Sequence, residues 1–159
     1  ELEVGQIGEL AVRGPQVMQG YWNSDNEDES VLQDGWLHTG DVAIMDEDGY
    51  FRIISRKRDT IFTGEFSVYP RDVEEVLYEN NKVLEVAVIG IGKEEGKQKV
   101  KAYVVPRPNT KLSKEELIDL CKRRLEEYAV PWEIEFRDEL PKSFVGKVLR
   151  RLLTNDSVN

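Results

Sequence analysis

Three places in the sequence combine residue types and spacing that could do chemistry. Gly146-Lys147 sets an ammonium directly after the most flexible residue, in a basic stretch that also holds Lys142, Arg150 and Arg151. A lysine delivered on a mobile loop can neutralise charge building up on a phosphate or carboxylate oxygen. A solvated surface lysine has the same local pattern. Thr39-Gly40-Asp41 puts a carboxylate at the close of an apolar strand, after a glycine where backbone can approach a ligand closely. A carboxylate can accept two hydrogen bonds from a vicinal diol such as a nucleotide ribose, and it can equally stabilise a turn. Arg56 lies 15 residues further on, where an antiparallel return could bring its guanidinium beside Asp41. A purely structural ion pair explains those two residues as well. Gly92 to Lys97 invites comparison with a phosphate-binding loop, but three residues separate Gly92 from Gly96 and Gln98 follows Lys97. Such a loop needs four residues and then Ser or Thr, so a solvated hairpin loop is the reading here.

Composition narrows the chemistry. The single cysteine, Cys121, excludes an internal disulfide and a cysteine-based metal cluster, and the single histidine, His38, leaves no pair for zinc. No metal ligands are assigned. With 22 basic against 31 acidic residues, the formal charge of −9 gives a long-range field that repels nucleic acid and anionic lipid, so an anionic ligand must be held by local cations. Forty per cent hydrophobic and 33% charged residues describe a chain able to build a core. No apolar run reaches the roughly 18 to 20 residues a membrane span needs, and Glu1 opens no secretory signal, so the expected address is the cytoplasm.

The elements that must position these residues follow from periodicity. Gly8 to Arg13 alternates around Leu10 and Val12 as a short strand, and the acidic run Ser24 to Ser30 reads as a loop or short helix. Trp36 to Met45 and Tyr50 to Ile54 flank Asp46-Glu47-Asp48-Gly49, which marks a hairpin. The cationic cluster Arg56-Lys57-Arg58 follows as a candidate domain boundary. Beyond it come a β run from Thr60 to Thr63, a turn at Gly64, and a helix opened by Pro70 with Val73, Val76 and Leu77 on its apolar face. Val83 to Ile91 and Val100 to Val105 are rich in β-branched residues and form a second hairpin. Ser113 and Glu116 make a capping box for a helix bearing Leu117, Leu120, Cys121 and Leu125, which marks Cys121 as a core residue. A strand from Glu133 to Phe136 and a short helix from Val148 to Leu153 close the domain, and Asn155 to Asn159 is expected to fray.

Taken in order, these segments resemble the adenylate-forming (AMP-binding) superfamily of acyl-CoA ligases, luciferases and peptide-synthetase adenylation domains. The likeness rests on Gly8-Glu9-Leu10 with Gly14-Pro15-Gln16-Val17-Met18-Gln19-Gly20-Tyr21-Trp22, and on Gly35-Trp36-Leu37-His38-Thr39-Gly40-Asp41. It continues through Arg56 to Pro70, then Leu140-Pro141-Lys142 and Gly146-Lys147-Val148-Leu149-Arg150-Arg151. The wording is most similar to that of long- and medium-chain fatty acyl-CoA ligases. The resemblance implies an α+β fold: residues 1–57 as the tail of a large N-terminal domain of β-rich hairpins, 58–153 as a mobile C-terminal lid with a small sheet and packed helices, and 154–159 as a frayed tail. It implies that Asp41 binds the ribose hydroxyls, that Arg56 helps hold the nucleotide, and that Lys147 is catalytic, contacting the reacting carboxylate and the α-phosphate. Arg58 takes the hinge position. Such an enzyme uses ATP, CoA and Mg2+ to make an acyl-adenylate from a carboxylic acid and then the acyl-CoA thioester.

Two departures stand out. On the loop that helps form the thioester site, Gly64-Glu65-Phe66, Glu65 stands where relatives commonly have glycine, so the flexible point is either lost or shifted to Gly64. The Thr/Ser/Gly-rich ATP-phosphate loop and most of the acyl pocket are not in the sequence, so the expected partner is the missing N-terminal domain of the same protein, and turnover by these residues alone is not expected. Two other readings stay open: an acyl-AMP ligase that uses another acceptor, and a non-catalytic interaction module that kept the fold.

Overall fold

A run of apolar residues as unbroken as 86–91 can be a stable strand only if both of its faces are covered. In the computed structural model, which describes residues 1–22, 31–92 and 97–156, both faces are. The expected loop or helix at Ser24 to Ser30, residues 93–96 of the loop after Gly92, and the end of the expected fraying tail lie outside the described residues. The fold is α+β, and the chain divides into two compact units, Glu1–Arg58 and Asp59–Asn159. No described helix is long and apolar enough to cross a membrane.

In the first unit, strands β1 (Ile7–Val12), β2 (Leu32–Gln33) and β4 (Phe51–Arg56) all pair antiparallel with β3 (Trp36–Met45). The β3–β4 turn is closed by Asp46, whose carboxylate accepts from the backbone N–H groups of Asp48 (3.1 Å) and Tyr50 (2.9 Å), while Gly49 takes a left-handed φ of 83°. Only Val42, Ala43 and Ile54 are buried among the described residues of this unit, and Ile7, Trp36, Phe51 and Ile53 are exposed.

The second unit is built on a sheet of β7 (Val83–Ile91), β8 (Lys99–Pro106) and β9 (Glu133–Phe136), with β7 antiparallel and β9 parallel to β8. Successive side chains of a strand point to opposite faces. Val86, Val88, Val100, Ala102 and Val104 therefore pack on one side against α1 (Pro70–Tyr78) and α2 (Lys114–Arg124), through Val73, Leu77, Leu117 and Cys121. Ala87, Ile89, Tyr103 and Val105 pack on the other, against Leu140 and Leu153. A separate two-stranded hairpin joins β5 (Ile61–Thr63) to β6 (Phe66–Val68).

Several sequence expectations are adjusted. The Ser113 hydroxyl accepts from the Glu116 N–H at 3.1 Å, but the Glu116 carboxylate turns to the Lys82 ammonium (2.8 Å) and the Asn80 amide (2.9 Å), which offer it a cation and a donor at once. Ile118 packs against the core alongside Leu117, Cys121 and Leu125, whereas Leu120 is only half-buried. The last helix, α3, runs Arg150–Asp156 and not Val148 to Leu153, because Val148 is held in a β-bridge with Lys142 and the Leu149 N–H donates to the Pro141 carbonyl at 2.8 Å. Asn155 and Asp156 are accordingly helical where fraying was expected.

Candidate functional site

Thr39-Gly40-Asp41 does not close its strand as the sequence suggests; it interrupts β3, which runs on to Met45. The two-residue step from Glu9 to Ala11 on β1 faces the four-residue step from Val42 back to His38 on β3, so the extra length bulges out around Gly40. Gly40 has φ of 70°, a left-handed conformation that costs a side-chain-bearing residue about 1 to 2 kcal/mol. Thr39 stabilises the bulge from within: its hydroxyl donates to the Leu10 carbonyl at 2.9 Å and accepts from the Asp41 N–H at 3.1 Å. Its place in the Thr-Gly-Asp motif was visible, but a threonine spanning two strands has no signal until the register is known.

The antiparallel return expected of Arg56 is present. Asp41 and Arg56 sit opposite one another in the β3–β4 ladder, with Arg56 Nε 2.9 Å from the Asp41 carboxylate. Arg56 also reaches the Thr39 carbonyl, at 3.4 Å. The Asp41 side chain is 23% exposed and that of Arg56 55%. The pair is therefore open enough for ligand to approach, and an exchange of partners there costs little of the stability that a buried pair would hold. Nearby, Glu9 accepts from Lys57 at 2.8 Å and lies 3.3 Å from His38 Nδ1. The hydrogen bond from Lys57 holds the Glu9 carboxyl below its ordinary range against an opposing effect of partial burial, with His38 adding to the depression. This carboxylate, flanked by His38 of β3 and by Lys57 just after β4, has no signal in the sequence. Arg58 is exposed in the 3-10 turn Lys57–Asp59.

Lys147 belongs to the second unit, where its surroundings are rigid up to its backbone. Lys142 bridges Val148; the Ser143 N–H donates to the Lys147 carbonyl (2.8 Å), and the Lys147 N–H donates to the Ser143 hydroxyl (3.2 Å). Gly146 donates to the Ser143 carbonyl at 2.9 Å and has φ of 80°. A three-residue hairpin loop ending in a left-handed glycine fits this pattern, and it explains why glycine precedes the lysine. Leu140 and Val148 root the hairpin in the core against β7 and β8. The Lys147 side chain is exposed, and its ammonium has no partner among the described residues. Three residues on, Arg150 binds the Glu74 carboxylate (2.8 and 3.0 Å) and thereby fixes the start of α3.

The β5–β6 loop answers the question posed by Glu65. Thr63 faces Phe66 directly, leaving a two-residue turn. Gly64 takes the left-handed conformation, φ 67°, and Glu65 does not. Glycine in the first loop position is what a type II′ hairpin requires. The special residue is thus Gly64, and Glu65 projects as an exposed side chain. Phe66 stacks on Tyr128, centroids 4.2 Å apart and 8° from parallel, and the Thr63 hydroxyl donates to the Tyr128 carbonyl at 3.3 Å. A groove of about 590 Å³ opens beside the hairpin, lined among others by Thr63, Lys99, Lys122, Glu127, Tyr128 and Trp132.

Residues 72–147 match the family described as the AMP-binding enzyme C-terminal domain. Over 158 residues the chain is 52% identical to the long-chain-fatty-acid–CoA ligase of Yersinia pestis, covering 99% of this chain and 28% of that protein. Among solved structures, it superposes on ATP-bound MatB from Rhodopseudomonas palustris with a TM-score of 0.90 and 32% identity, over 98% of this chain and 31% of that one. The o-succinylbenzoate CoA synthetase of Bacillus subtilis, in complex with its acyl-adenylate intermediate OSB-AMP, gives a TM-score of 0.85 at 36% identity, over 96% of this chain and 31% of that one. The chain thus spans under a third of the length of these proteins. With likeness running through both units, the chain is similar over nearly its whole length to adenylate-forming CoA ligases, and it carries the AMP-binding enzyme C-terminal domain at residues 72–147.

Proposed function

We propose that the chain is the lysine-bearing C-terminal part of a fatty acid–CoA ligase, and that Lys147 acts in the adenylation half-reaction. The observation that carries this reading is the Lys147 ammonium, unpartnered among the described residues, at the end of a hairpin fixed by hydrogen bonds on both sides. A lysine on a backbone held in this way suits a ligand that arrives from elsewhere.

In that half-reaction a carboxylate oxygen of the fatty acid attacks the α-phosphorus of ATP. The new P–O bond forms as the bond to the β-phosphate oxygen breaks, and pyrophosphate leaves with the electron pair. Negative charge accumulates on the α-phosphate oxygens in the transition state, where a positioned cation contributes about 3 kcal/mol. Lys147 is our candidate for that cation. Asp41 is our candidate acceptor for the ribose hydroxyls, with Arg56 holding the carboxylate in position and contributing positive charge on the nucleotide side. Among the described residues no three His, Cys, Asp or Glu side chains converge as a metal site. A Mg2+ ion accompanying ATP would need no such cluster, since Mg2+ in nucleotide sites is commonly held by phosphate oxygens, waters and one or two carboxylates.

In the second half-reaction the CoA thiol, losing its proton, attacks the acyl carbonyl; the C–S bond forms and AMP departs. Gly64, Glu65 and Phe66 are our candidates for the loop on that side, and the groove beside it offers Lys99 and Lys122 to a phosphorylated thiol. Residues 1–57 suit the tail of a larger domain, since their sheet leaves Ile7, Trp36, Phe51 and Ile53 exposed. Residues 58–153 then form the lid, with Arg58 at the hinge. ATP and CoA as substrates make the cytoplasm the expected compartment.

The test is Lys147→Ala in the full-length enzyme. Acid-dependent exchange of pyrophosphate into ATP is expected to fall by roughly a hundredfold or more. Unchanged exchange would remove Lys147 from the chemistry.

A further inference from the structure

The hairpin that presents Lys147 also presents its two most conspicuous apolar side chains to solvent. Phe144 is 102% exposed and Val145 61% exposed, both in the turn between Ser143 and Gly146. The usual fate of such residues is burial, and the neighbouring sequence shows it: Leu140, Val148 and Leu153 on either side pack against the sheet. The tip cannot fold back to join them. The Lys142–Val148 bridge and the Ser143–Lys147 and Gly146–Ser143 hydrogen bonds fix the turn, so Phe144 and Val145 are held outward by the same contacts that aim Lys147. Since the chain spans only 28% of the length of its long-chain-fatty-acid–CoA ligase relative, most of the protein surface available to meet this tip lies beyond these residues.

We infer that Phe144 and Val145 are positioning residues for Lys147: the tip docks on an apolar surface of the enzyme's larger part when the hairpin closes for adenylation, fixing the ammonium against the reacting phosphate and keeping water out. The inference rests on the assignment of Lys147 to adenylation. Fully burying a phenylalanine side chain is worth enough to change a closure equilibrium by roughly 10- to 100-fold. The inference takes the acid and ATP to bind before the hairpin closes, so loss of the docking contact falls on the rate at saturation and not on their apparent affinities.

The experiment compares Phe144→Ser, Phe144→Leu and Lys147→Ala in the full-length enzyme. Acid-dependent pyrophosphate exchange and thioester formation from supplied acyl-adenylate are both measured. For Phe144→Ser the expected result is a drop in kcat for exchange of roughly 10- to 100-fold, little change in KM for ATP or acid, and an unaltered thioester step. Phe144→Leu should recover most of the exchange rate. Since the Phe144 side chain is fully exposed, thermal stability should be unaffected. If Lys147→Ala abolishes exchange while Phe144→Ser does not change it, the positioning role is wrong and the lysine assignment stands. If Phe144→Ser slows both half-reactions equally, the tip has a general structural part and the inference fails. If Lys147→Ala itself leaves exchange intact, the reading beneath it fails first.

Discussion

Gly40→Ala separates what the β3 bulge contributes to folding from what it contributes to nucleotide binding. Gly40 sits at φ 70°, and a Cβ added there would meet no atom within 4 Å, so the substitution carries conformational strain but no clash. The left-handed conformation costs alanine about 1 to 2 kcal/mol. Alanine also has fewer conformations to lose from the unfolded chain, which returns about 0.4 to 1 kcal/mol. The net expectation is a loss of about 1 kcal/mol, read as a shift in urea midpoint by far-ultraviolet circular dichroism. Gly40→Asn should lose less, because asparagine tolerates the left-handed region better than alanine. A loss of that size leaves a domain of ordinary stability almost entirely folded. On the proposal that Asp41 holds the ribose, relaxing the bulge turns the carboxylate away, and losing one charged hydrogen bond weakens ATP by roughly tenfold, read as a rise in KM for ATP in the full-length enzyme. If Gly40→Ala is as stable as the parent, the glycine is not there for its backbone. If stability falls and KM for ATP does not move, the bulge does not aim a nucleotide ligand.

Three further outcomes are expected. Glu65→Gly should leave pyrophosphate exchange intact and alter only thioester formation from supplied acyl-adenylate; an equal effect on both half-reactions would contradict the assignment of the β5–β6 loop. Glu9→Gln should flatten the acid side of the stability profile. The Glu9 carboxyl is depressed in the folded state, so its contribution is present above the ordinary value of 4.5 and is lost as pH falls through the folded value; an unchanged slope in urea titrations below that pH would refute the Lys57–Glu9–His38 account. Cys121 is fully buried and its thiol is pushed up to about 11 by burial. Its reaction with a disulfide reagent at pH 8 should therefore proceed only as fast as the chain opens, and immediate labelling of folded protein would place the residue outside the core.

Much of the architecture was legible in residue order. Asp46 to Gly49 announced its hairpin because the Asp side chain and the left-handed glycine are local devices, complete within five residues. Pro70 and Ser113 announced their helices for the same reason. What the sequence hid depended on distant partners. The bulge at Gly40 exists only relative to β1, and the parallel pairing of β9 with β8 joins segments separated by a helix. Lys101 looked like one more surface lysine. It is in fact buried, and its ammonium lies 3.2 and 2.9 Å from the carboxylates of Glu133 and Glu135 on the parallel neighbour. Alternation in β8 and β9 contains that pairing, but only once their direction is known. For the candidate site, the Asp41–Arg56 approach followed from hairpin geometry, whereas the ordering of Lys147 by Ser143 and Gly146 required the turn itself.

We assign Lys147 to adenylation and not to the thioester step. The most direct test is to measure both half-reactions on one preparation of the full-length Lys147→Ala enzyme, giving acid, ATP and labelled pyrophosphate in one assay and preformed acyl-adenylate with CoA in the other. Exchange is expected to fall by about a hundredfold or more while thioester formation stays near the parent rate. Exchange at the parent rate, or an equal fall in both, would contradict it.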